Sequence, residues 1–98
     1  MKAVIERVKN WATDRQIIQN SSSQSQLLKT VSELGELADA IQKRDRDEIV
    51  DGLGDVLVTL VIVAAIEQLD LETCLWAAYD EIKDRKGTLT ADGVFVKE

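Results

Sequence analysis

Histidine and proline are absent from this 98-residue chain, cysteine occurs once, and the aromatic residues are two Trp, one Tyr and one Phe. Without histidine the most versatile general base and metal ligand is missing. A lone Cys74 excludes an internal disulfide and any thiolate metal site, and its place in an apolar stripe predicts an inert core thiol in a reducing, cytoplasmic setting. The absence of proline and the scarcity of aromatics favour long helices built from aliphatic side chains. Positive charge is also short: the formal net charge is −6, which argues against a surface that binds phosphates by counterion release. Nucleic acid is therefore not expected as a direct partner, and a polyanionic ligand would need a divalent cation as a bridge. No continuous apolar segment opens the chain, since MKAVIERVKN alternates charged and apolar residues, so no signal peptide is expected. The longest apolar run, Val56 to Ile66, is 11 residues including Thr59, short of the ~18–20 that cross a bilayer. It is expected to be a buried core helix, with no membrane partner.

What the chain does have is helical periodicity. Val4, Ile5, Val8, Trp11 and Ala12 share one face of a first helix over about Lys2–Thr13. Asn20-Ser21-Ser22-Ser23 follows as a loop, and either Ser23 with Gln26 or Ser22 with Ser25 caps a second helix. There Leu27, Val31, Leu34, Ala38 and Ile41 form the apolar stripe expected to pack, with Lys29, Glu33 and Glu36 roughly opposite. Gln42–Asp47 is expected to be the turn, with Asp45 or Asp47 as N-cap of a third helix over about Glu48–Gln68 that is apolar around most of its circumference from Leu53 onward and so buried on all sides. Gly35, Gly52 and Gly54 are expected where another backbone or a ligand comes close. Asp70 caps a fourth helix ending in Lys83, Arg85 and Lys86 before a C′ Gly87. The residues TLTADGVFVKE then form an extended tail or a small hairpin. The expected fold is all-α: one domain over 1–98, a bundle of about four helices with a short extended tail, its core completed by oligomerisation because so small a chain hardly covers the third helix.

Two acidic constellations stand on consecutive helices: Glu33 and Glu36, three apart, then Glu48, Asp51 and Asp55, at spacings of three and four. Both spacings put carboxylates on one side of a helix. A solvated face accounts for the first pair alone, but Asp51 and Asp55 share a line with Thr59, Ile62 and Ile66 at the mouth of a core. Burying several unpaired carboxylates costs many kcal/mol or forces protonation. A hard divalent cation resolves that conflict, and without histidine the metal chemistry open to the chain is an all-oxygen Mg2+ or Mn2+ site. Lys83, Arg85 and Lys86 suit either the helix dipole or phosphate contact, whereas Lys43, Arg44 and Arg46 read as a solvated loop. Trp11, Trp76 and Tyr79 read as packing residues.

KTVSELGELADAI followed by DEIVDGLGDVLVTL resembles the MazG-like branch of the all-α nucleoside triphosphate pyrophosphohydrolases, with an ExxE pair on one helix and an ExxD pair on the next. WATDRQI and AYDEIKDRKGTLTADGVFVKE extend the similarity to the small, single-domain phage and bacterial members. Glu33 and Glu36 match the first pair and Asp55 the Asp of the second. Gly52 stands where the family has an acid, which leaves Asp51, then Glu48, to substitute. The resemblance implies Mg2+-dependent hydrolysis of a nucleoside triphosphate to monophosphate and pyrophosphate, of a nucleotide-pool house-cleaning type. It implies metal ligation by Glu33, Glu36, Asp51, Asp55 and Glu48, a general base in Glu36 or Glu33, and phosphate contacts from Lys29, Lys83, Lys86 and Arg85. It also implies a homodimer or homotetramer. The competing expectation is a non-catalytic helical module that binds nucleotide or itself.

Overall fold

A computed structural model describes residues 1–98. Five helices, α1 (Lys2–Asp14), α2 (Ile17–Asn20), α3 (Ser23–Lys43), α4 (Arg46–Ile66) and α5 (Leu71–Ile82), precede an antiparallel hairpin of β1 (Gly87–Leu89) and β2 (Phe95–Lys97). The all-α expectation holds, with one short helix, α2, added between the expected first helix and the expected serine loop. The caps follow side-chain chemistry. Ser22 Oγ accepts from the Ser25 amide at 3.1 Å, an Asp45 carboxylate oxygen from the Glu48 amide at 3.2 Å, and one from Asp70 from the Thr73 amide at 3.0 Å.

The connection between α3 and α4 is shorter than the sequence suggests. Arg44 takes a left-handed conformation (φ 58°), its amide donating to Ile41 O and that of Asp45 to Ala40 O, which is a Schellman ending without glycine. Asp45 then caps α4 directly, so two residues join two helices of 21 residues each. Thr30 faces Thr59 and Leu37 faces Gly52: seven residues forward on α3 is seven back on α4, the signature of an antiparallel pair. A hydrogen bond from Ser23 to Glu67 ties the far ends together.

This pair is the centre of the molecule, and the face that α3 turns to it differs from the expected one. Thr30, Leu37 and Ala40 are buried, with Gln26 and Glu33 half-buried on the same line, a 4-3-4-3 spacing like a coiled-coil seam. The stripe of Leu27, Val31, Leu34, Ala38 and Ile41 repeats that spacing one residue round and is exposed; Leu34, the least exposed of its large side chains, is still 48% accessible. The polar line of Lys29, Glu33 and Glu36 is thus brought toward α4, and the apolar line is turned away.

Nor is α4 buried on all sides in the single chain. Gly52, Thr59, Val61, Ile62 and Ala64 are covered, mainly by α3 and α1, while Val50, Leu53 and Leu57 are exposed. By length and composition alone α4 could cross a membrane (mean hydropathy 2.3), a measure the uninterrupted apolar run understated; here it packs along α3. Helix α5 has no buried residue, and Cys74 on it is exposed, contrary to the expected core thiol. That helix also stops at Ile82, so Gly87 is not its C′ residue. Gly87 opens β1 opposite Lys97, where a Cβ would sit 2.3 Å from Val96 O and 2.6 Å from the Phe95 ring. Glycine is required there by close approach.

Candidate active site

The acids of α3 and α4 meet near the turn that joins the helices. A cleft of about 320 Å³ is lined by Glu36, Asp39, Lys43, Glu48, Asp51, Gly52 and Asp55, with no apolar side chain. That volume lies within the usual range of small-ligand sites. Glu33 stands at its inner end, its side chain only 14% exposed and paired with Lys29 at 3.6 Å. The antiparallel register produces this grouping: Glu33 and Glu36 rise along α3 as Asp55 and Asp51 descend along α4.

The electrostatics of the cluster show how closely the groups act on one another. Glu36 is pushed above the ordinary carboxylate range, first by hydrogen bonding to the Glu33 carboxyl, then by the charges of Glu33 and Asp55 and some burial, with Lys29 opposing. Asp55 is raised first by burial, then by the charges of Asp51 and Glu33, again with Lys29 opposing. Each shift means that a further negative charge is unwelcome and a positive one welcome. No three of the carboxylates already form a preset cage. The cleft is open and its donors are all carboxylate oxygens on flexible side chains, a donor set that fits a hard divalent cation, with the side chains closing on the ion.

Below the cleft the two helices are held by a buried hydroxyl pair. Thr30 Oγ1 lies 2.8 Å from Thr59 Oγ1, and the two also bond to Gln26 O and Val56 O of their own helices. Thr30 is one turn from Glu33 and Thr59 one turn from Asp55, so this contact sets the register in which those acids face each other. Gly52 serves the same end. A Cβ there would meet Leu37 Cδ1 at 3.2 Å, Cβ at 3.3 Å and Cα at 3.4 Å, so the position is taken up by helix contact, as its glycine suggested. Gly35 and Gly54 have nothing within 4 Å of an added Cβ; the close approach expected at them is not made within this chain.

Of the residues singled out in the sequence, Glu33, Glu36, Glu48, Asp51, Asp55 and Lys29 are brought to one region. Lys83, Arg85 and Lys86 are not among the cleft residues: they follow the end of α5, where Lys83 pairs with Asp80 at 3.5 Å. Asp39, not singled out in the sequence, and Lys43, read there as part of a solvated loop, also line the cleft. Asp39 continues the three-residue spacing from Glu36 inside the expected helix, and Lys43 lies four beyond it, a signal hidden by ending the helix two residues early.

Residues 21–89 match the family model described as the MazG nucleotide pyrophosphohydrolase domain. A curated relative, an uncharacterized 18.2 kDa protein from the rep-hol intergenic region of Haemophilus phage HP1, is 34% identical over 70 residues, 71% of this chain and 43% of that protein. The chain therefore spans less than half the length of the curated relative it matches. Among solved structures, a cyanophage S-2L MazG-like pyrophosphohydrolase bound to dGDP and three catalytic Mn2+ ions per active site has the same fold, with a TM-score of 0.73 at 18% identity over 99% of this chain and 95% of that one.

Proposed function

Because the chain belongs to the MazG nucleotide pyrophosphohydrolase family, we propose that it hydrolyses a nucleoside triphosphate to the monophosphate and pyrophosphate with divalent cations held in its acidic cleft. The observation that carries this is the convergence of carboxylates from two antiparallel helices in one open cleft, two of them with pKa values raised by their neighbours. The dGDP and Mn2+ held by the cyanophage protein of the same fold support a nucleotide and a divalent metal here; Mg2+ is the physiological ion in this reading.

Glu36, Asp51 and Asp55 are the principal metal ligands, with Glu33, Glu48 and Asp39 within reach of the same region. When bound, a divalent cation neutralises phosphate charge and acidifies water. Glu36, open to the cleft, accepts the proton of the attacking water, and the half-buried Glu33 shares it. The water oxygen bonds to the α-phosphorus, the bond to the α–β bridging oxygen breaks, and pyrophosphate leaves. Lys29 offsets charge at the inner end through its pair with Glu33. Lys83, Arg85 and Lys86 reach phosphate in this reading only if a second copy brings them to the cleft.

The chain acts as a single domain and as a homo-oligomer, dimer or tetramer, in the cytoplasm, with no nucleic acid or membrane partner. The exposed stripe of α3 together with exposed Leu53, Leu57, Leu75, Trp76 and Ile82 supports the oligomer, since contiguous apolar patches mark association surfaces. Chromatographic analysis of products from canonical and modified (d)NTPs tests the activity. Monophosphate with pyrophosphate is expected, whereas diphosphate with orthophosphate would replace this reading with a different phosphohydrolase.

A further inference from the structure

Lys43 is the only cation among the cleft residues, and no carboxylate lies within 4 Å of its ammonium group although five line the same cleft. It stands at the outer end, seven residues along α3 from Glu36, an axial rise of about 10 Å. The other cation close to the acids, Lys29, is at the opposite end and is already paired with Glu33. Glu36, Asp51 and Asp55 therefore lie towards the inner end of the cleft, and the unpaired ammonium group stands at the outer end beside Asp39 and Glu48. A neutral or singly charged ligand has no use for both. A polyphosphate does, with one phosphate against the metal-binding acids and the rest of its charge carried outward.

The direction is set by what closes the inner end. Beyond Glu33 lie Thr30 and Thr59, both buried and hydrogen-bonded to each other, which leaves no space for a phosphate chain. From acids near Glu36 and Asp55 the chain can extend towards Lys43. We propose that Lys43 binds the phosphate oxygens beyond the scissile bond, those of the departing pyrophosphate, and so makes the site selective for the length of the phosphate chain. This rests on the pyrophosphohydrolase reading above and deepens it. A lysine in the last turn of α3 also complements the helix dipole, but that role would alter melting temperature and not affinity for pyrophosphate.

Calorimetric titration of inorganic pyrophosphate into the Mn2+-loaded full chain tests the proposal without requiring turnover. Binding to the wild-type chain is expected, weakened about tenfold or more by Lys43→Met, as befits loss of a charge-assisted contact, and largely kept by Lys43→Arg. Mn2+ affinity, read by electron paramagnetic resonance, should not fall in either variant. In kinetics, Lys43→Met should raise the KM of a nucleoside triphosphate far more than the inhibition constant of the matching monophosphate product. No pyrophosphate binding to the wild type, equal binding to Lys43→Met, or a loss that follows Mn2+ affinity would overturn the proposal. Pyrophosphate binding that depends on Lys43 in a chain releasing none from any triphosphate would uphold it while overturning the enzymatic reading.

Discussion

Glu36 and Asp55 carry the sharpest consequences at the scale of single residues. Both titrate above their ordinary values in the metal-free chain, Glu36 first through its hydrogen bond with Glu33 and Asp55 first through burial. A carboxyl that holds its proton more readily folded than unfolded stabilises the fold at low pH, and that contribution is lost as pH rises through the raised folded pKa. The metal-free chain should therefore show a component of its melting temperature that falls as pH rises above the ordinary carboxylate range. Glu36→Gln should flatten this slope without lowering the melting temperature at neutral pH. Both Glu36→Gln and Asp55→Asn should reduce turnover at least a hundredfold; full turnover by either would remove that residue from the site. Asp70 runs the other way: the Thr73 amide holds its pKa low, so its contribution is lost only as pH falls through that value. Spacing made the five acids legible as two faces, Glu33 with Glu36 and Glu48 with Asp51 and Asp55, because three- and four-residue intervals fix a helical face wherever the helix begins; that the two faces meet rested on the burial argument and the resemblance. Asp39 was open to the same spacing argument and was passed over, whereas Lys43 was not legible, because its place on the helix depends on where α3 ends.

At the scale of elements, the α3–α4 hairpin decides both what was legible and what was not. Helix identity and the Asp70 cap followed from side-chain chemistry, and Ser22 and Asp45 are each one of the two caps left open for their helices. The two-residue turn did not, because it rests on a non-glycine residue, Arg44, in the left-handed region, where glycine would have been the signal. The face that α3 presents was misjudged for a physical reason. Two heptad-spaced lines lie side by side on it, and the more apolar one is not the one that meets α4; the Thr30 hydroxyl donates to that of Thr59, which donates to Val56 O, and so makes a polar line compatible with burial. Gly52 reports on this seam most directly. Alanine there gains up to ~1 kcal/mol of helix propensity, but its Cβ would press on the Leu37 side chain at 3.2 and 3.3 Å, and overpacking costs about 1–3 kcal/mol. Gly52→Ala should be net destabilising by about 1 kcal/mol in urea unfolding; a clear gain in stability would mean that the helices do not approach as closely as described.

As a whole molecule, the single chain is loosely assembled. Ten of 98 residues are buried, none of them on α5, and the radius of gyration is 15.8 Å against about 13 Å for a compact domain of this length. Its extents are 46 × 34 × 25 Å. The all-round apolar character of α4 pointed to covered surface, and in one copy that cover is missing, so a second copy is the economical source of it. Light scattering coupled to gel filtration should give a mass of two or four times 10.9 kDa, and Leu34→Glu, on the exposed stripe of α3, should shift it towards one. A wild-type monomer at micromolar concentration would contradict the oligomer.

In the proposed function, carboxylates from two facing helices form a metal-dependent pyrophosphohydrolase site. Pyrophosphate release from a panel of canonical and modified nucleoside triphosphates, measured with Mg2+, with Mn2+ and with chelator, tests it most directly. Release is expected with at least one triphosphate, dependent on the divalent cation and lost in Glu36→Gln. No release from any triphosphate with either cation, or release that persists undiminished in chelator, would contradict it.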